Sequence, residues 1–90
     1  MKRINNFHFT EGNVYMFSGS PFDCFACGIY DRTEKGRIKL EALWYGGKIL
    51  LFNYYLPAYF KYVRRAKSNE IRDFCFVYGY RCCETELHRS

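Results

Sequence analysis

The chain of 90 residues lacks the features that define several large classes of proteins. It contains two prolines and four serines, so it does not have the composition of a disordered chain or linker. No apolar run approaches the roughly 18 residues of a membrane span, and the run 49–52 has the length of a strand. Met1 is followed by Lys-Arg-Ile-Asn-Asn rather than by an apolar segment. We therefore expect a cytoplasmic protein that does not associate with membranes.

Groups that catalyse reactions are also few. The two histidines, His8 and His88, lie at opposite ends of the chain, and neither has a nucleophile or an orienting acid at a telling spacing. Gly46-Gly47 lies between strand-like runs, whereas a phosphate-binding loop would open a helix. We predict no catalytic residue and no cofactor. A small basic ribonuclease that uses Arg, Lys and Tyr with His88 stays open as a reaction-class hypothesis.

Five cysteines are an odd number, which argues against a complete disulfide framework. In the cytoplasm they are expected to be reduced thiols. Cys24 and Cys27 have the two-residue spacing of zinc ligands, and Cys82 and His88 are candidates for the other two positions. Only half of that pattern is present, so we favour buried thiols that act as small hydrophobes and predict no metal.

Aromatic residues are abundant, with nine Phe, nine Tyr and one Trp. Large rings bury roughly 150 to 250 Å² each, which allows a short chain to assemble a core. The length suffices for one domain that spans residues 1–90. Period-two patterns predict strands over residues 4–10, 13–18, 24–30, 37–45 and 48–55, which form an antiparallel β-meander.

Gly46-Gly47 is the clearest local signal in the chain. Two glycines accept the positive φ that a two-residue hairpin turn requires. The turn predicts that Tyr45 faces Lys48, and it sets the register of the two strands. The further expected pairs, which would form one apolar face, are Trp44 with Ile49, Ala42 with Leu51, and Ile38 with Tyr55.

A helix is predicted over residues 57–67, because Pro57 suits a first helical position and apolar residues then recur with a helical period. Ser68-Asn69 is expected to end this helix. Residues 71–81, apolar on both faces when read with a period of two, are expected to form a final strand inside the sheet. The predicted fold is a single α+β domain with about five meander strands, one amphipathic helix packed on the sheet, and a last strand.

The positive charge is concentrated between residues 57 and 72. The chain has a net charge of +5, of which this segment carries +4. We predict that it binds an anionic partner through a solvent-facing helical surface. The alternative is an ordinary solvated helix face. The candidate binding residues are Lys61, Arg64, Arg65, Lys67, Arg72 and Tyr59.

The function that these features favour is a small non-enzymatic binding protein. Tyr and Arg are the residues that contribute most to interface energy. An inhibitor or modulator of the kind made by phages and mobile elements fits, with an acidic protein surface or a nucleoprotein complex as its partner. The alternative hypothesis is a nucleic-acid-binding module that uses the helix at 57–67. Both require that the arginines of this segment face solvent.

Overall fold

The computed structural model describes residues 2–19, 26–45, 47–55 and 60–78. Within these ranges the chain forms one six-stranded antiparallel sheet and one helix packed on it, which confirms the predicted α+β class. The sheet order is β1-β6-β2-β3-β4-β5. The elements are β1 (Lys2–Arg3), a 3-10 turn (Ile4–Asn6), β2 (Val14–Ser18), β3 (Ala26–Glu34), β4 (Arg37–Tyr45), β5 (Lys48–Tyr55), β6 (Tyr62–Arg65) and α1 (Ser68–Tyr78).

The meander from β2 to β5 agrees with the prediction. Strand β4 has the predicted bounds, and the hairpin register is confirmed, since Tyr45 pairs with Lys48 and Ile38 with Tyr55. Strand β3 continues through Glu34, where a loop was expected from residue 31. Lys35 and Gly36 both have positive φ, 51° and 75°, and make a two-residue primed turn between Glu34 and Arg37.

The prediction of a strand over residues 4–10 is wrong. Only Lys2–Arg3 pairs with the sheet, and Ile4–Asn6 forms a 3-10 turn. Residues 7–10 have no regular structure, yet Phe7 and Phe9 lie against one face of the sheet. The Phe9 ring stacks on the Tyr30 ring with centroids 4.7 Å apart. Aromatic packing therefore holds this segment where ladder hydrogen bonds were expected.

Each face of the sheet carries its own core. The first, called the aromatic core, contains the buried rings of Tyr15, Phe17 and Phe60. Phe60 reaches across the sheet, with its ring 5.5 Å from Phe17 on β2 and 6.1 Å from Tyr45 on β4. The second, called the helix-side core, places Phe74 and Cys75 of α1 against the opposite face. Both faces of the central strands are therefore covered.

The predicted helix at 57–67 is wrong in the part that the structure describes. Residues 57–59 lie outside the described ranges, and Tyr62–Arg65 is a strand inserted between β1 and β2. Val63 is buried in the aromatic core, whereas its neighbours Tyr62 and Arg64 lie on the helix side. Strand β2 gains a second neighbour from this pairing, and satisfying its backbone groups outweighs the local helical pattern.

The predicted final strand is a helix as far as Tyr78, and residues 79–81 lie outside the described ranges. Ile71, Phe74, Cys75 and Tyr78 follow the i, i+3, i+4, i+7 spacing of an apolar helix stripe, and all four contact the helix-side core. The period-two interpretation failed because a run rich in apolar residues matches both periods.

Ser68-Asn69 lies at the start of the helix, where an end was predicted. Lys67 is the N-cap residue, since its carbonyl accepts the first helical bond from Ile71 N–H at 2.9 Å. The Glu70 carboxylate accepts a 2.8 Å hydrogen bond from the Lys67 backbone N–H, which is one half of a capping box. Glu70 also binds the Arg64 guanidinium through two contacts of 2.7 and 2.6 Å. One carboxylate thus both starts α1 and joins it to β6.

The strands β3, β4 and β5 change faces partway along their length. Ile29 pairs with Ala42, but Tyr30 pairs with Leu40, so one residue of β4 is extra at this point. Leu40 belongs to the aromatic core and Ala42 to the helix-side core. The prediction of a single apolar face for the β4–β5 hairpin is therefore wrong, although its pairing is right.

Gly28 allows the strands to approach at this crossing. A Cβ at this position would lie 2.9 Å from the Ala42 carbonyl oxygen and 3.2 Å from a methyl group of Leu40. A backbone oxygen cannot move aside as a flexible side chain can. The absence of a side chain at position 28 thus permits the close packing beside the bulge.

We predict that Glu70→Ala lowers the free energy of unfolding by about 2 kcal/mol, because it removes a cap and a charged hydrogen-bond pair. The Arg64 guanidinium, and then the Lys67 N–H, hold the pKa of Glu70 below its ordinary value. A carboxyl with a depressed folded pKa stabilises the protein above its unfolded pKa, about 4.3, and this stabilisation is lost as pH falls through the folded pKa.

The measurement is urea denaturation at neutral pH and at pH values below the ordinary carboxyl range. Asp73→Ala is the matched control, because Asp73 lies exposed on the same helix. We expect that control to change stability by no more than about 0.5 kcal/mol. An equal loss in the two variants at neutral pH would contradict the role assigned to Glu70.

Candidate protein-interaction site

The predicted cationic residues do not share one helical face. Lys61 is exposed immediately before β6, Arg65 is exposed at the end of β6, and Arg72 is exposed on α1. Lys67 is also exposed, but it serves as the backbone cap of α1. Tyr59 lies outside the described residues. The cationic residues that were expected on one helical surface are therefore distributed over the β6 region and α1.

The prediction that the arginines face solvent is wrong for Arg64. Its guanidinium is held by Glu70 with a closest N–O distance of 2.6 Å, and its side chain is 28% exposed. Its Nη1 also donates to the Arg65 carbonyl oxygen at 3.1 Å. A bidentate pair of this kind positions the guanidinium within the fold. Arg64 thus has a structural role between β6 and α1.

One edge of the sheet is short and positively charged. Strand β1 contributes two residues, and its partner β6 four. We call this the cationic edge, and its exposed residues are Lys2, Arg3, Lys61 and Arg65. Arg3 also lies over the Tyr62 ring at 5.5 Å. Short strands and cations are the features that keep a sheet edge from pairing with other chains.

The opposite edge, β5, differs in length and in chemistry. Lys48–Tyr55 has eight residues, and among the described strands only β4 pairs with it. Its exposed side chains include Leu51, Phe52 and Tyr54, which are 50%, 49% and 43% exposed. We call these three residues the edge patch. Large apolar side chains on an open edge are typical of an interaction site.

Phe52 has an unusual backbone conformation. Its φ is +52°, which bulky side chains rarely adopt. The residue lies at the face change, since its neighbours Leu51 and Asn53 pair with Ala42 and Leu40 on either side of Glu41. Holding such a conformation costs about 1 to 3 kcal/mol, and residues of this kind cluster at functional sites. Because the Phe52 side chain is half exposed, its burial contributes too little stability to offset this cost.

Lys39 organises the aromatic part of the edge patch. Its ammonium group lies 5.9 Å from the centroid of the Phe52 ring and 5.6 Å from that of Tyr54. The Asp31 carboxylate is 3.7 Å from the same ammonium. These cation–π contacts place both rings on one side of the sheet and hold them in a defined orientation.

The far end of β5 borders a shallow cleft of about 370 Å³, lined by Glu34, Lys35, Arg37 and Tyr54. The Tyr54 hydroxyl donates to Glu34 at 3.0 Å, and Arg32 contacts the same carboxylate at 2.9 Å. The Tyr54 hydroxyl and then the Glu34 carboxylate raise the pKa of Arg32. Lys35 and Arg37 are exposed and make no ion pair with a described acid. The cleft therefore presents cationic groups beside the edge patch.

The residues considered as zinc ligands do not form a site in the part of the chain that the structure describes. Cys27 is buried in the helix-side core, to which Cys75 also belongs. Cys24, Cys82 and His88 lie outside the described residues. Among the described residues no group of three His, Cys, Asp or Glu side chains could hold a metal ion.

Comparisons with known proteins add no assignment. Neither known protein families nor curated proteins nor solved structures give a match to this chain. None of the helices in the described ranges has the length and apolar character needed to cross a membrane.

The edge patch was missed by the sequence analysis. The predicted pairing places Leu51 on the apolar face of the hairpin, whereas it is half exposed, and only Tyr54 falls on the face expected to be at least partly wet. The available signal was the position of β5 at the end of the meander, because a last strand lies at an edge unless a later one pairs with it. That later strand, β6, pairs with β2 instead.

We predict that Phe52→Asn preserves or raises the stability of the protein, because Asn tolerates positive φ and the lost ring is half exposed. Leu51→Asn is the matched control, since Leu51 is equally exposed but is not among the residues with positive φ. The control should lose up to about 1 kcal/mol, because Asn is poorly suited to a strand. Thermal unfolding measures both variants, and a larger loss for Phe52→Asn would contradict backbone strain at this residue.

Proposed function

We propose that the chain is a small non-enzymatic protein of the cytoplasm that docks on a partner protein through β5 and so inhibits or modulates that partner. The observation that carries this proposal is the edge patch, in which Leu51, Phe52 and Tyr54 are each exposed by two fifths or more. Burying a half-exposed Leu or Phe against a partner stabilises a complex by about 1 kcal/mol each. Aromatic side chains are also frequent among residues that dominate interface energies.

The contrast between the two edges supports the same proposal. The cationic edge carries charges that discourage pairing, whereas β5 has Lys48 as its one charged residue. The fold requires a positive φ at position 52, which Gly or Asn would adopt at a lower cost than an exposed aromatic residue. An exposed aromatic ring that lowers the stability of the free protein is typical of a binding surface, because the ring becomes buried in the complex.

The ordering of the rings points in the same direction. Lys39 holds Phe52 and Tyr54 on one side of the sheet, and Glu34 accepts a hydrogen bond from the Tyr54 hydroxyl. Side chains that are already oriented lose less conformational freedom on binding, which favours affinity. An inhibitor or modulator of the phage or mobile-element type would act by occupying the partner with this surface.

The experiment compares proteins captured from a lysate of the native host by the wild-type chain and by the Leu51→Asp, Phe52→Asp double variant. We expect the double variant to lose the main captured protein, because two carboxylates in the interface core would be desolvated without partners. Quantitative mass spectrometry measures the capture. Urea denaturation verifies that both chains are folded.

Phe76→Asp is the matched control. Phe76 is 87% exposed on α1 and is not part of the edge patch. The control should capture the same protein as the wild type. If the double variant still captures it, or if the control loses it equally, docking through β5 is wrong.

Nucleic-acid binding is the second candidate, and the cationic edge is the observation that favours it. Lys2, Arg3, Lys61 and Arg65 are exposed along one edge, where they could follow a phosphate backbone. Arg64 contributes less than was expected, since Glu70 holds it. A partner that contains both protein and nucleic acid could use both edges of the sheet.

We predict that Lys61→Glu with Arg65→Glu weakens retention on heparin and binding to DNA, if the cationic edge contacts phosphates. Lys35→Glu with Arg37→Glu is the matched control, because it makes the same change in net charge beside the other edge. Salt elution and fluorescence anisotropy measure the two variants. An equal loss in both would show a nonspecific charge effect, and no loss in the first would remove nucleic-acid binding by this edge.

A further inference from the structure

We infer that the occupant of β5 is an extended segment of the partner protein, apolar in its centre and acidic at its ends, which adds to the sheet as a seventh strand. This inference rests on the proposed docking through β5 and specifies its geometry and chemistry. It follows from the backbone of the edge, from its apolar centre, and from the positions of its cations.

The backbone of β5 has hydrogen-bonding groups directed away from the sheet. Tyr45 and Lys48 flank a two-residue turn and pair with one another, and such a closing pair exchanges both of its backbone hydrogen bonds. By antiparallel alternation Leu50 also bonds to β4. Ile49 and Leu51 then direct their N–H and C=O groups toward the open edge. These are the groups that an added strand would bind.

The centre of β5 is apolar. Leu51 and Phe52 are about half exposed, and the Phe52 ring is oriented by Lys39. An added strand places every second side chain on the same face as these residues. Apolar side chains at the centre of the incoming segment would therefore cover the edge patch.

Positive charges lie at both ends of β5. Lys48 opens the strand, and Lys35 and Arg37 line the cleft beside Tyr54 at the other end. None of these three cations forms an ion pair with a described acid. The nearby acids are engaged, since Glu34 binds Arg32 and Tyr54, and Glu41 accepts a 3.4 Å hydrogen bond from the Tyr78 hydroxyl.

The charge pattern decides between occupants. A second copy would bring the same excess of cations to the interface, since residues 31–55 contain five cations and three acids. An acidic segment would instead place its carboxylates against Lys48 at one end and Lys35 and Arg37 at the other. Complementary charge of this kind raises the association rate and selects the register. The arrangement therefore favours an acidic partner over self-association.

The probe is a synthetic peptide with two Glu residues at each end and alternating Val and Thr between them. A second peptide carries Lys in place of every Glu. We expect the acidic peptide to bind the wild-type chain and to slow hydrogen exchange at the Ile49 and Leu51 amides. The Lys peptide should bind at least about tenfold more weakly at low salt, a difference of about 1.4 kcal/mol.

Leu51→Pro tests the backbone geometry. It removes an outward N–H without breaking a bond to β4, so the fold should persist while peptide binding is lost. Leu50→Pro is the matched control, which should unfold or destabilise the protein because it removes a bond within the sheet. Leu51→Thr keeps the N–H and should bind the acidic peptide with reduced affinity. This variant keeps the inference testable if Leu51→Pro fails to fold.

Charge exchange tests the partner chemistry. The double variant Arg37→Glu, Lys48→Glu should bind the acidic peptide more weakly than the wild type does, and it should bind the Lys peptide more tightly. Equal binding of both peptides to the wild type, undiminished binding to a folded Leu51→Pro variant, or a wild-type dimer with protected β5 amides would overturn the inference. In a further outcome, the acidic peptide fails to bind while the Leu51→Asp, Phe52→Asp variant still loses its captured protein. That result would support docking through β5 and would overturn the inference that an acidic strand is the occupant.

Discussion

The molecule depends on covering both faces of a sheet whose strands differ in length. Strand β2 has five residues, whereas β3 and β4 have nine each. The segment at 7–10 and Phe60 cover one face, and α1 covers the other. These covers bury the core residues of β2, β3 and β4 but leave the side chains of the edge patch on β5 exposed. The exposure of the edge patch is thus a consequence of how far the two cores extend.

The bulge opposite Tyr30 connects the two cores. It returns Ile38 and Leu40 to the aromatic core, while Ala42 remains on the helix side. The same crossing places Phe52 at positive φ on the edge. Bulges turn side chains toward new directions and are frequent beside functional sites. Here one irregularity completes a core and exposes an aromatic ring in the same part of the sheet.

The positions of the positive charges on the surface depend on the fold and do not follow the order of the residues in the sequence. The segment with the greatest positive charge is divided by β6 and α1, and its Arg64 is neutralised by Glu70. Cations distant in sequence, such as Lys2 and Lys61, meet on one edge. The cations of β4 and β5 lie near the other edge. The contacts that we propose for an acidic partner accordingly lie at the ends of β5 and not on the predicted helix.

The amino-acid sequence by itself indicated the antiparallel meander through its period-two patterns, and it determined the β4–β5 register, because a Gly-Gly turn imposes its pairing. It also carried the stripe of Ile71, Phe74, Cys75 and Tyr78, but an apolar run satisfies two periods, and only packing against the sheet selected the helix. Tertiary structure alone decided that Tyr62–Arg65 joins β2 and that β5 is left as an edge among the strands that the structure describes. The physical reason is that strand pairing is a long-range choice, settled by which backbone groups and apolar faces remain to be covered once the meander has formed.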